Sequence, residues 1–130
     1  MRYLVDTDWV IDYLHGREPV VSRLSLLAPQ GIGLSIISLA ELYEGVFFSS
    51  APRENEKALL NFLDGVNLLY LNHSICQIFA RERGRLRAAG RIIGDFDTLI
   101  GSTALYHGLT LLTNNRRHFE RMQGLSILSI

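Results

Sequence analysis

Five short apolar runs, at residues 2–6, 32–37, 68–71, 109–113 and 125–130, are separated by stretches in which apolar residues return at helical spacing. Strands that alternate with helices in this way pair in parallel through crossovers that pack on the faces of one sheet. The pattern therefore predicts the α/β class, with a mainly parallel central sheet flanked by helices. The 130 residues fit one domain, 1–130, long enough to bury a core without disulfides or metals as staples.

Local signals divide the chain further. Thr7 or Asp8 is expected to cap a short helix from Asp8 to Leu14 that Gly16 and Pro19 end, and Val20 to Leu27 reads as a second. Pro29, Gly31 and Gly33 lead into the 32–37 strand, after which Ser38 is expected to start a helix through Leu39, Leu42, Tyr43 and Val46. Pro52 separates that helix from another over Glu54 to Leu63. Ile75, Ile78, Phe79, Leu86 and Ala89 mark a long helix that Gly90 and Gly94 help to stop, and a further helix follows Asp95. A helical turn is expected near Arg117 to Met122.

Four side chains far apart in sequence stand at the edges of these segments. Asp6 ends the first run, Glu41 follows the second, Asp97 opens the helical stretch of Leu99, Ile100, Ala104 and Leu105, and Asn115 follows the fourth run. In an open α/β sheet, groups at the carboxyl ends of strands meet in one crevice. A carboxylate at the end of a buried strand must be hydrated, paired or bound to a cation, which favours a functional role for Asp6. The other members have structural alternatives. Ser38 to Glu41 has the S-x-x-E form of a capping box, Asp95 with Thr98 would serve as an N-cap, and Asn115 would serve as a turn residue.

Carboxylates at one sheet edge raise each other's pKa unless a cation intervenes, and an oxygen-only donor set selects Mg²⁺ or Mn²⁺. Magnesium takes one or two carboxylates and completes its shell with water and substrate phosphate, which makes a phosphodiester the natural substrate. His15, His73, His107 and His118 lack metal-ligand spacing, and Cys76 has no catalytic partner, so zinc and thiol chemistry fit poorly. The lone cysteine is expected to pack rather than react, and its use agrees with a reducing cytoplasm. Formal charge is zero, so no global field announces a nucleic acid or a membrane, and no apolar run approaches the ~20 residues that span a bilayer. Local basic groups remain: Arg81, Arg83, Arg85, Arg87 and Arg91 on one helix, and Arg116, Arg117 and Arg121 after the last candidate residue. Arg116 and Arg117 are the candidates to meet substrate phosphate, whereas Arg83, Arg87 and Arg91 also fit a solvated helix face. Trp9, Tyr13, Tyr43, Val46, Phe47 and Phe48 supply either core or a partner groove.

The segments Leu4 to Asp8, Ile37 to Leu42, Asp97 to Ile100 and Leu112 to Asn115, in that order, resemble a PIN domain and more narrowly the VapC toxins. The resemblance implies a Mg²⁺- or Mn²⁺-dependent endoribonuclease, held silent by a VapB-type antitoxin, acting in the cytoplasm on transfer or ribosomal RNA and assembling as a homodimer. It implies Asp6, Glu41 and Asp97 as metal-binding carboxylates, Asp95 as an extra acid, and Thr7 as a contact to the attacking water or phosphate. Asn115 stands where many relatives carry a fourth aspartate, and Gly101 and Ser102 replace a frequent alanine pair. Two rivals stay open. Asp6, Thr7 and Asp8 also fit a haloacid dehalogenase-like phosphatase with Asp6 as nucleophile, although Lys57, the only lysine, follows no strand end. A non-catalytic binding module would leave the acids as caps.

Overall fold

A computed structural model describes residues 1–130. Five strands, β1 (Tyr3–Val5), β2 (Ile32–Ser35), β3 (Asn67–Leu69), β4 (Thr110–Leu112) and β5 (Ile127–Leu128), form one sheet in the order β3-β2-β1-β4-β5, with every pair parallel. The strands are short and apolar because both faces are covered. Tyr3 and Val5 of β1, Leu34 of β2 and Leu112 of β4 join a core with Trp9, Val10, Leu24, Leu42 and Leu59. Leu4 and Leu111, one residue out of phase, join a second core with Leu86, Ile100, Ala104, Phe119 and Met122. The first core is supplied by helices α1 (Thr7–Leu14), α2 (Val20–Leu27), α3 (Ile36–Phe47) and α4 (Pro52–Leu63), and the second by α5 (His73–Ala88), α6 (Asp95–His107) and α7 (Arg116–Phe119).

Several boundaries depart from expectation, and each departure has a local cause. Asp6, not Thr7 or Asp8, caps α1, with its carboxylate accepting from the Thr7 amide. The second strand stops at Ser35 because that hydroxyl accepts from the Ile37 amide and starts α3 three residues before Ser38. Ser38 then lies inside the helix, buried, with an Oγ that has no partner, so the Ser38–Glu41 capping box does not form. Gly94 rather than Asp95 caps α6, while Thr98 Oγ1 donates back to the Gly94 carbonyl. Cys76 is exposed on α5, since its neighbour Ile75 takes the buried position of that turn. At the end of α6, Gly108 adopts φ 65°, and Leu109 N–H donates to the Ala104 carbonyl at 2.9 Å, which turns the chain straight into β4.

Strand order places β1 beside β4, and the chain leaves these two neighbours in opposite directions across the sheet. The crevice beyond their carboxyl ends is the switch point where open α/β sheets take ligands. Asp6 N–H donates to the Leu112 carbonyl at 2.9 Å and Thr113 N–H to that of Leu128 at 3.1 Å, so the first residues past both strands are held in ladder register.

Candidate functional site

Asp6 is 4% exposed and sits at the N-terminus of α1. Its Oδ1 accepts from Thr7 N at 2.8 Å and its Oδ2 from Thr113 Oγ1 at 2.7 Å. Thr7 Oγ1 in turn donates to Glu41 Oε1 at 2.7 Å, although the two residues lie 34 positions apart. On the other side, the Thr113 hydroxyl accepts from Asn115 N at 3.0 Å, and Asn115 Nδ2 reaches Asp97 Oδ2 at 3.2 Å. His118 Nδ1 completes the row, 3.0 Å from Asn115 Nδ2 and 3.3 Å from Asp97 Oδ2. One linked chain thus runs from Glu41 through Thr7, Asp6, Thr113 and Asn115 to Asp97 and His118.

Each element delivers its residue for a local reason. Asp6 lies in the crevice because a cap must follow its strand immediately. Glu41 is not at a strand end as its sequence position suggested. It rides in the second turn of α3, and the earlier start of that helix at Ser35 turns it toward Thr7 rather than back to a cap amide. Asp97 lies in the first turn of α6, where the helix dipole favours negative charge.

The electrostatics are unbalanced. The Asp6 carboxyl is pushed from 3.8 up to about 7, by burial first and by the charges of Asp8 and Asp97, against the hydrogen bonds from Thr113 and Thr7. Glu41 is raised by burial first, and by the charges of Asp97 and Glu44, while Thr7 pulls it down. Asp97 therefore shares a field with both. No arginine, lysine or histidine forms an ion pair with Asp6 or Glu41. No three acidic, histidine or cysteine side chains are drawn together tightly enough to form a ready-made metal cage. Mg²⁺ and Mn²⁺ do not require such a cage, since they keep several waters and need only one or two carboxylates. Hard oxygen donors, mutual repulsion and the lack of a fixed counter-charge fit such a cation.

Asp95 does not join the group. It is exposed and pairs with Arg83 at 2.8 Å. Arg116 is occupied as well, by Glu120 at 2.8 Å and by Ser129 Oγ at 3.3 Å, whereas neighbouring Arg117 is exposed and has no protein partner. Arg85 bonds Glu82 and the Arg121 carbonyl, so part of the arginine-rich helix is structural. Three contributors escaped the sequence reading: Thr113, Asp8 and His118. Asp8 accepts from Trp9 N and Asn114 N, and Asn114 Oδ1 accepts from Trp9 Nε1 and Ile130 N, which fixes the turn that carries Thr113 and Asn115. The sole sequence trace of this clamp is two polar tripeptides, each following an apolar run.

The PIN domain family model matches residues 3–125. The chain belongs to the PIN domain family. Among PIN proteins it is 32% identical over 127 residues to Ribonuclease VapC1 of Haemophilus influenzae strain R2866, covering 96% of this chain and 95% of that one. It is 28% identical over 125 residues to a tRNA(fMet)-specific endonuclease VapC of Shigella flexneri, covering 96% and 95%. A crystal structure of VapBC2 from Rickettsia felis, bound to a promoter DNA fragment, superposes with TM-score 0.93 at 30% identity and covers 100% of this chain and 99% of that one. PIN membership over nearly the whole length displaces the phosphatase alternative. The geometry agrees, since Asp8 spends both carboxylate oxygens on backbone amides and Lys57 lies exposed on α4. The departure at Gly101 has a packing reason: a Cβ there would lie 2.3 Å from Met122 Sδ, so glycine makes room for the methionine under α6.

Proposed function

We propose that this PIN domain is a divalent-cation-dependent endoribonuclease, the toxin of a type II toxin-antitoxin pair, which hydrolyses phosphodiester bonds in transfer or ribosomal RNA in the cytoplasm. The observation that carries the reading is the shared field of Asp6, Glu41 and Asp97 at the β1/β4 crevice with no cationic partner for Asp6 or Glu41. Those three would hold Mg²⁺ or Mn²⁺. When bound, such a cation lowers the pKa of water and neutralises charge on the phosphate. Thr7 gives its only hydroxyl proton to Glu41, so toward substrate it can only accept, which suits it to orient a water rather than to grip a phosphate oxygen. Asn115 directs Nδ2 to Asp97 and His118, which leaves its neutral Oδ1 as the fourth, weaker place. Arg117, free of internal partners, is the better placed of the two arginines to meet an RNA backbone.

The relatives named as VapBC complexes support a VapB-type antitoxin as partner. A cleft of about 290 Å³ between α1, α3 and α4 offers it a seat. Ile11, Leu14, Leu42 and Val46 make its apolar walls, and Glu41 stands on its lining, so a basic side chain carried by an amphipathic segment would meet the acidic group there. Trp9 is fully buried, and the partly buried Tyr13 packs against the same core with its ring tilted 55° to that of Phe62, which assigns these two aromatics to packing. Phe47 and Phe48 remain exposed and available for contact with an antitoxin or a second copy in the homodimer. No helix is long and apolar enough to cross a membrane.

The test is Mn²⁺ titration calorimetry joined to cleavage of total RNA by the chain freed of antitoxin. Wild type is expected to take up Mn²⁺ and cut RNA, with EDTA abolishing cleavage. Asp6→Asn and Asp97→Asn should lose both while keeping a native circular dichroism spectrum. Cleavage that persists in EDTA, or a trapped aspartyl-phosphate at Asp6, would overturn the reading.

A further inference from the structure

No other histidine or cysteine stands at ligand spacing from His118 in the sequence. In the folded chain its Nδ1 lies within hydrogen-bonding reach of two candidate site residues from different elements, Asp97 in α6 and Asn115 ahead of α7. We propose that His118 is a positioning residue that fixes which oxygens of Asp97 and Asn115 are offered to the cation, an inference that rests on the metal-dependent reading above.

The argument is one of donors and acceptors. Asn115 Nδ2 carries two hydrogens and has two neighbours, Asp97 Oδ2 at 3.2 Å and His118 Nδ1 at 3.0 Å. With the imidazole proton on Nε2, Nδ1 accepts from the amide, and the amide's other hydrogen goes to Asp97. With the proton on Nδ1, the ring itself donates to Asp97 Oδ2 at 3.3 Å. Asp97 Oδ2 is occupied with either tautomer, and the Nε2-protonated ring, whose Nδ1 accepts, is the one that orients the Asn115 amide with its nitrogen inward. The oxygen left over on each residue is Oδ1, and the protein offers neither of them a hydrogen bond. A charged aspartate at position 115 would need no such clamp, because either of its oxygens serves. An asparagine presents one oxygen and one nitrogen, and only an orienting partner makes the right one face the ligand. His118 lies on the first turn of α7, its side chain 45% exposed, so the ring can be replaced without opening the core.

The experiment is Mn²⁺ binding by calorimetry on wild type, Asp97→Asn, His118→Ala, His118→Asn and His118→Gln, with thermal unfolding as the folding control. Asparagine places an amide where Nδ1 stands, and glutamine places it where Nε2 stands. Loss of an orienting partner typically weakens metal affinity about 10- to 100-fold, and that is the loss expected for His118→Ala and His118→Gln, with His118→Asn close to wild type. Electron spin-echo spectroscopy of the Mn²⁺ complex should show no directly bound imidazole nitrogen. Wild-type affinity in His118→Ala, or equal losses in the Asn and Gln variants, would overturn the positioning role, and a directly coordinated nitrogen would make His118 a ligand instead. If wild type binds no Mn²⁺, the metal-dependent reading itself has failed. If wild type binds and Asp97→Asn does not, that reading stands whatever the His118 variants do.

Discussion

Asp6→Asn would keep both hydrogen bonds that hold this side chain, since an amide oxygen still accepts from Thr7 N and the amide nitrogen can meet the Thr113 hydroxyl. It would remove a charge that burial and Asp8 disfavour. The sign follows from the raised pKa. Below 3.8 the folded and unfolded chains both hold the proton; between 3.8 and about 7 the unfolded chain releases it while the folded chain keeps it, so stability falls as pH rises. Above about 7 the penalty is complete. Asp6→Asn should therefore be more stable than wild type at pH 8, by a margin on the order of a few kcal/mol that shrinks toward pH 4. A margin that stays flat across that range, measured by thermal unfolding, would show that Asp6 carries no such penalty. The same comparison distinguishes the two acids of α6. Asp95 belongs to an exposed pair with Arg83, worth about 0–1 kcal/mol, so Asp95→Ala should barely change stability or Mn²⁺ affinity, whereas Asp97→Ala should lose the affinity.

Helix α3 shows how a cap position decides where a candidate site residue points. Both Ser35 and Ser38 offer a serine hydroxyl near the start of the helix, and only Ser38 has a glutamate three residues on. Ser35 makes the cap, so Glu41 is released from any bond to a cap amide and bonds Thr7 instead. Ser35→Ala should cost about 1 kcal/mol, typical of a lost N-cap. Ser38→Ala should be neutral or stabilising, because its Oγ is buried without a partner and such a group costs about 1–3 kcal/mol to desolvate. Urea denaturation of the two variants gives the order directly. The reverse order would restore the capping box and return Glu41 to a structural role.

At the scale of the molecule, the sheet brings the cap of α1, the second turn of α3 and the first turn of α6 together, so that Asp6, Glu41 and Asp97 share one field, and the fold supplies no counter-charge to Asp6 or Glu41. A cation that binds only the folded state must then stabilise it, by about 2.7 kcal/mol at a concentration one hundred times its dissociation constant. Mn²⁺ should raise the melting temperature of wild type at pH 7.5 and EDTA should reverse the rise, while Asp6→Asn, already relieved of its charge, should respond little. A variant that gains intrinsic stability and loses the cation response has the trade-off expected when destabilising charge is kept for function. A cation effect of equal size in both proteins would mean that Mn²⁺ binds elsewhere.

The sequence by itself determined the alternation of strands and helices, since apolar periodicity and glycine or proline breaks are local properties, and the helix Val20–Leu27 was legible to the residue. It also marked Asp6, Glu41, Asp97 and Asn115, because polar groups at the ends of apolar runs stand out. Where Ile36 and Ile37 extend an apolar run past Ser35, pattern alone does not separate a strand's last residues from a helix's first turn, so it points to Ser38 where the cap is Ser35. The partners were not legible at all. Thr113 meets Asp6 across 107 positions, Asn114 meets Asp8 across 106, and Asp95 turns away to Arg83. Such contacts depend on strand order and on the rotation of each helix about its axis. Only the tertiary structure fixes these, so only it decided that Asp95 leaves the acidic group and that His118 enters it.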